Sequence, residues 1–324
     1  MAFTARLATR PPFDGAALVA HLAARAVPGV EEVVDGRYRR SLRTPGGPAV
    51  IELSPAADHV RLNVTPPDAD GPTVAAAAPV GPPVAGADLD ALVARCRALF
   101  DLDADPAAIS AVLGGDPLIG PLAAAAPGLR VPGAVDGAEL AVRAVLGQQV
   151  SLRAAATLAG RLVTALGEPL ATAVGGVTHL FPEPAAIAAL DPADLAMPRA
   201  RARTLLGLAG ALADGLDLRE VGALPGIGPW TAGYIALRAL GDRDVFLAGD
   251  LGVRKALERL GADSHPRAAA ALAERWRPYR AYAMHHLWGV LSGPCASPST
   301  PSRPTSPPGA ACARRWPAAR PASG

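Results

Sequence analysis

The chain has 324 residues, half of them apolar, which excludes wholesale disorder and leaves room for about two domains with cores of their own. Of its 31 basic residues 30 are arginine, Lys255 being the single lysine, and residues 1–290 carry 27 basic against 29 acidic side chains. A net charge of +2 gives nucleic-acid binding no global footing, so any such role has to rest on a local site.

Residues 13–27 place Leu18, Leu22 and Ala26 at helical spacing behind the N-cap candidate Asp14. Short β-type runs follow at 30–34, 38–42, 50–53 and 60–64, with a turn at Thr44-Pro-Gly-Gly-Pro48, and they predict a small antiparallel α+β unit. Residues 66–87, rich in Pro, Gly and Ala, read as a linker that closes an N-terminal domain of residues 1–87. From Asp88 the pattern is helical, first as the stripe Leu89, Leu92, Val93, Cys96, Leu99 and Phe100. Further runs cover 139–147, 151–166, 184–190, 199–213, 229–241, 251–260 and 267–291, so residues 88–292 are expected to form an all-α domain. Residues 293–324, with eight prolines and four arginines, predict a disordered tail.

No run reaches the roughly 18 apolar residues that span a bilayer, and the first residues lack the apolar core of a secretory signal, which predicts a cytoplasmic protein. Cys96, Cys295 and Cys312 are spaced for neither a disulfide framework nor a four-cysteine metal or iron–sulfur site. His285-His286 lacks a zinc-ligand pattern, and Arg199, Arg201 and Arg203 scatter round a helix as a solvated face. No sustained heptad stands out, which predicts a monomer.

The segment most informative for chemistry is Leu224-Pro-Gly-Ile-Gly-Pro-Trp-Thr-Ala-Gly-Tyr234, a two-glycine turn feeding a helix with Pro229 in its first turn. Gly226 and Gly228 let another backbone come close, and the free amides of such a helix start favour a phosphate. The same spacing also serves a plain turn between packed helices. A dinucleotide fingerprint fits poorly, because Thr231 follows Gly226-x-Gly228-x-x and no strand precedes it, and Lys255 follows Arg254, which excludes a nucleotide P-loop. Asp250, just ahead of an apolar-periodic run, suits an N-cap of the helix at 251–260.

In this hairpin, and in five further blocks, the chain resembles the helix-hairpin-helix DNA glycosylases, and within them the DNA-3-methyladenine glycosylase II family. The blocks are Leu22-Ala-Ala-Arg-Ala-Val27, Pro127-Gly-Leu-Arg-Val-Pro-Gly133, Val142-Arg-Ala-Val-Leu-Gly-Gln-Gln-Val-Ser151, Asp244-Val-Phe-Leu-Ala-Gly-Asp250, and Ala273-Glu-Arg-Trp-Arg-Pro-Tyr-Arg-Ala-Tyr282 leading to Trp288. The resemblance implies an α+β fold, with an antiparallel sheet and helix like half of a TATA-binding protein followed by an all-α bundle. It implies hydrolysis of the N-glycosidic bond of 3-methyladenine and 7-methylguanine in flipped-out nucleotides of duplex DNA, within base excision repair and beside the nucleoid.

On this resemblance Asp250 stands at the position of the catalytic carboxylate, which stabilises positive charge developing on the sugar and orients water. Trp230, Tyr234 and Trp288 stand at positions that line the base pocket, where an aromatic ring gains on the order of 1–2 kcal/mol with a cationic base. Gln149 takes the place of the wedge that fills the gap left by a flipped nucleotide, a position with an apolar residue in relatives. Gly226, Gly228 and Thr231 would contact phosphate, and the main-chain carbonyls of Gly222, Leu224 and Ile227 would hold a monovalent cation. No other cofactor is implied. Relatives that also cut the strand carry a nucleophilic lysine at the hairpin position occupied here by Trp230, so a monofunctional enzyme is expected.

Three departures stand against the pattern, one of them the Pro/Arg-rich tail at 293–324, which has no counterpart in relatives. Only Leu216 to Ala223 is available for the helix before the hairpin, roughly ten residues fewer than in relatives. His21 replaces an aromatic residue near the pocket. They open the alternatives of a DNA-binding protein without activity and of a glycosylase for mismatched or oxidised bases.

Overall fold

The computed structural model describes residues 3–65 and 86–292, so the predicted linker, apart from its last two residues, and the predicted tail lie outside the described part. Five strands, β1 (Phe3–Ala8), β2 (Glu31–Val34), β3 (Arg37–Thr44), β4 (Gly47–Pro55) and β5 (His59–Thr65), form an antiparallel sheet in the order β1-β5-β4-β3-β2. The β3–β4 register, Thr44 opposite Gly47, puts the turn where the Pro-Gly pair predicts it. Helix α1 (Gly15–Ala23) starts on Asp14, whose side chain accepts the Ala17 amide at 2.9 Å. β1 is an element the sequence reading does not anticipate.

Alternation along the strands turns Tyr38, Leu53 and Leu62 to one face, where α1 covers them with Leu18, Val19 and Leu22. Helix α2 (Gly86–Phe100) lays its stripe Leu92, Cys96, Leu99 and Phe100 into this same core. The first helix after the linker is thereby a layer of the sheet unit. Burial pushes the Cys96 thiol up to about 12.

The remaining helices form the bundle: α3 (Pro106–Leu113), α4 (Gly120–Ala125), α5 (Gly137–Leu146), α6 (Leu152–Leu166), α7 (Pro184–Ala188), α8 (Arg199–Ala213), α9 (Pro229–Ala239), α10 (Leu251–Arg259), α11 (Pro266–Ala273) and α12 (Arg280–Ser292). The run expected at 267–291 is broken between α11 and α12, where Pro278 withholds a backbone donor. The bundle is not wholly helical, because β6 (Pro169–Val174) and β7 (Val177–His179) form a hairpin. Leu170, Thr172 and Val174 alternate into Gly175-Gly176, with Gly175 at φ +62°, a two-residue turn signal legible in the sequence. This hairpin covers the outer face of the sheet: Thr178 donates to the Gly29 carbonyl at 2.8 Å, and Val50 packs with Leu170, Val177 and Leu180.

A second seam joins sheet and bundle. The strand period places Arg40 on the inner face, opposite Ile51, so its guanidinium is buried and needs carboxylate partners. It meets Glu139 of α5 at 2.5 Å and Glu31 at 3.3 Å, while Arg143 bridges Glu139 at 2.7 Å and Glu31 at 3.0 Å. The Tyr38 hydroxyl donates to Glu31 at 2.6 Å. Burial would raise the Glu31 carboxyl, but Arg143 and Arg40 hold it at about 2, below its ordinary 4.5.

A carboxyl depressed in the folded state stabilises the fold above its unfolded pKa and loses that contribution as pH falls towards the folded value. Wild-type stability is therefore expected to drop as pH falls from about 5 towards 2, a window in which Glu31 contributes. Glu31→Gln should be less stable at neutral pH and should show a shallower drop. Urea midpoints measured against pH test this, and an undiminished slope in the variant would contradict it.

Candidate active site

The hairpin does not rest on a full helix. Residues Leu218–Ala223 form a 3-10 turn, capped by Asp217, whose carboxylate accepts the Arg219 amide at 2.9 Å. Two other elements prop the hairpin. Gly226 has φ +85°, and a Cβ there would lie 1.9 Å from the Thr204 hydroxyl oxygen, so helix α8 backs the turn at glycine contact distance. From the α5–α6 loop the Gln148 amide donates to the Gly226 carbonyl at 3.2 Å and to the Thr231 hydroxyl oxygen at 3.1 Å.

Gly228 is the N-cap of α9, which starts on Pro229 without a side-chain cap, leaving first-turn amides to an external acceptor. Thr231 is buried and turned to Gln148, a use different from the expected phosphate contact. Leu224 receives the Ile227 amide on its carbonyl at 3.1 Å, and with Gly222 these residues trace the turn proposed from the sequence to offer carbonyls to a cation. Gln149 is exposed in the left-handed region at φ +57°, between Gly147 and Ser151, which caps α6 by accepting the Ala154 amide at 3.2 Å. The loop thus joins the exposed Gln149 to the hairpin through its neighbour Gln148.

Asp250 is the N-cap of α10, its Oδ1 accepting the Val253 amide at 2.9 Å. The same oxygen accepts the Trp288 indole N–H at 2.9 Å, and Oδ2 accepts the Trp230 indole N–H at 2.9 Å. Capping and a place in the site are therefore the same geometry, and three helices meet on one carboxylate. Trp230 stacks on Tyr234, with ring centroids 5.3 Å apart and planes at 5°, and His285 meets Trp288 edge-on at 4.8 Å. The three aromatic residues singled out by sequence converge with Asp250 on a cavity of about 380 Å³.

The cavity runs from this cluster along α9 to the sheet unit, where it is lined by His21, Arg25 and Arg238. Arg238 donates to the Tyr234 hydroxyl and His21 Nε2, both at 3.1 Å, and to the Gly133 carbonyl at 3.2 Å. Burial, then Arg238 and Arg25, hold His21 well below its ordinary value, so it accepts from Arg238 as a neutral ring. Burial would push the Tyr234 phenol up, but Arg238 and Arg25 bring it below its usual value. His285 and His286 are lowered by burial to about 3 and about 4, and His285 Nδ1 bonds the Ala281 carbonyl at 2.9 Å.

Sequence reasoning missed Arg238, Arg25 and Gln148. For Arg238 a signal existed, since positions 230, 234 and 238 recur at four-residue spacing on one helix face. Arg25 gave none, because its relation to α9 is set by the packing of two distant elements.

Comparison with known proteins bears on the family and the fold. Residues 4–136 match the AlkA N-terminal domain, and residues 142–280 match the HhH-GPD superfamily of base excision DNA repair proteins. The chain is 47% identical over 300 residues to a protein of Mycobacterium tuberculosis named "Probable bifunctional transcriptional activator/DNA repair enzyme AlkA", covering 89% of this chain but only 57% of that relative. It is 35% identical to DNA-3-methyladenine glycosylase 2 of Escherichia coli, over 86% of this chain and 94% of the relative. Its fold superposes on a 3-methyladenine DNA-glycosylase from Archaeoglobus fulgidus with a TM-score of 0.71 at 20% identity, covering 88% of this chain and 97% of that one.

The propped hairpin carries a consequence for Gly226. Gly226→Ala combines a strained φ with a collision against Thr204, and should lower stability by about 1–3 kcal/mol. Denaturation midpoints measure this, and a neutral outcome would show that the hairpin is free of α8.

Proposed function

The chain belongs to the DNA-3-methyladenine glycosylase 2 (AlkA) branch of the HhH-GPD superfamily, and on that premise we propose that it hydrolyses the N-glycosidic bond of alkylated bases in duplex DNA. It acts as a monofunctional glycosylase in base excision repair, a monomer working on cytoplasmic, nucleoid DNA. The observation that carries this reading is the Asp250 carboxylate, anchored between two indoles at an aromatic cavity beside a hairpin with free helix-start amides.

The hairpin amides at the start of α9 hold a backbone phosphate, and Gln149 enters the stack in place of the extruded nucleotide. A monovalent cation on the carbonyls of Gly222, Leu224 and Ile227 would add positive charge beside that phosphate; the Leu224 carbonyl keeps one lone pair for it after accepting the Ile227 amide. The flipped base lies along Tyr234, Trp230 and Trp288, whose electron-rich faces favour a cationic alkylpurine. Such a base leaves with the bonding electron pair as a neutral molecule, so no general acid is needed. Positive charge then rests on the sugar, where the carboxylate stabilises it.

Three donors already occupy the Asp250 oxygens, and the site left on Oδ2 faces the sugar charge or orients the water that adds to C1′ and releases a proton. Trp230 offers no amine for a Schiff base, so the product is an intact strand with an abasic site.

Incubation with methylated duplex DNA should release 3-methyladenine and 7-methylguanine with strands uncut. Asp250→Asn should slow release by about 10²–10³-fold while keeping salt-dependent DNA binding. The six-residue 3-10 turn in front of the hairpin favours a second reading, binding without catalysis. DNA binding by the folded wild type with no free base in the chromatogram would establish that reading instead.

A further inference from the structure

Trp230, 38% exposed, places Asp250 at the mouth of the cavity, whereas Arg238, further along α9, is 5% exposed. Beside Asp250 at this mouth lies Gly252, in the first turn of α10. Its backbone is helical and its φ is not positive, so the conformation does not call for glycine. Alanine would serve the helix better. Other helical glycines of the chain, Gly207 and Gly210 in α8 and Gly289 in α12, face open space, where an added Cβ would meet nothing within 4 Å.

Gly252 differs from these in what lies against it. An added Cβ would stand 3.0 Å from Asp250 Oδ1, 3.1 Å from Trp288 Cδ1 and 3.3 Å from Trp288 Nε1. Carbon atoms in good contact settle at about 3.5–4.0 Å, so the neighbours would have to give by some tenths of an ångström. The three nearest atoms are the two partners of the 2.9 Å bond from the Trp288 indole to Asp250 and the carbon next to its donor. Trp288 meets the edge of His285 at 4.8 Å, which limits its retreat. The indole of α12 therefore reaches the carboxylate through the space that a side chain at 252 would fill.

We propose that Gly252 is a positioning residue for the reaction: its missing side chain lets Trp288 lie against the first turn of α10 and hold the Asp250 carboxylate in its working orientation. This rests on the glycosylase reading. The terminal torsion of an aspartate is soft, so the plane of the carboxylate is only as fixed as the donors on its oxygens make it. Val253 and Trp288 supply those on Oδ1, Trp230 the one on Oδ2. A Cβ at 252 loosens the Trp288 donor and leaves the hairpin and Gln149 untouched, so it acts on the chemical step and not on DNA binding.

The test reads the hydrogen bond and the reaction separately. Of the four tryptophan indole N–H signals in a proton–nitrogen correlation spectrum, the one lost in Trp288→Phe belongs to Trp288. Gly252→Ala should move that signal upfield, as its carboxylate partner recedes. With protein in excess over methylated duplex DNA, the same variant should release 7-methylguanine about tenfold more slowly at saturation, with the half-saturating concentration unchanged. In a Trp288→Phe background, where no indole N–H remains to be placed, Gly252→Ala should change the rate by less than about twofold. Gly252→Ser, with the same Cβ and a hydroxyl suited to a first helical turn, tests the same contact if Gly252→Ala does not fold. An unmoved Trp288 signal or a wild-type release rate would overturn the inference. So would weaker half-saturation at an unchanged rate, which would make position 252 a contact of the bound base. Absence of free base from the folded wild type, with the Trp288 signal shifted in the variant, would overturn the glycosylase reading and with it the role of Gly252 in the reaction.

Discussion

Two glutamates and two arginines taken out of water together hold the sheet against the helical bundle. Glu31 and Arg40 come from the sheet unit, Glu139 and Arg143 from α5, and each charge is matched by two of the opposite sign. Such a cluster fixes orientation more surely than it adds stability, since the desolvation of four charges offsets most of their attraction. Orientation is what the site needs. One end of the cavity is closed by His21 of α1, Arg25 of the turn after it and Arg238 of α9, and these elements face one another only while this seam and the β6–β7 hairpin are closed.

The mouth is organised by one carboxylate. Asp250 caps α10 through the Val253 amide and receives indole donors from α9 and α12, so its position is set by three helices at once. A group fixed in this way stabilises a developing positive charge without reorganising as the reaction proceeds. The cavity is lined by aromatic, aliphatic and small side chains together with charged ones, the four members of the seam among them.

How much of this was legible in the sequence follows from how local each feature is. Asp250, the hairpin glycines, Trp230 and Tyr234 lie within one 27-residue stretch and were found by motif, as was Trp288 by its block. The strands β2 to β5 and most helices were legible from periodicity and caps. The β6–β7 hairpin falls in the gap between the helical runs at 151–166 and 184–190, where Gly175-Gly176 marks its turn. The assignment of α2's stripe to the sheet core was not legible, since an apolar stripe does not name its partner. For the same reason the short segment before the hairpin suggested poor support: Thr204 and Gln148, which supply the support, are distant in sequence and contact the hairpin only in the folded chain.

Stabilisation of positive charge at the sugar by the Asp250 carboxylate is tested most directly by binding, without turnover, to duplex DNA carrying either a cationic pyrrolidine or a neutral tetrahydrofuran in place of one sugar. The wild type should bind the pyrrolidine duplex about tenfold or more tightly than the tetrahydrofuran duplex, and Asp250→Asn should lose most of that difference. Equal binding of the two by the wild type, or a preference unchanged in Asp250→Asn, would contradict the account.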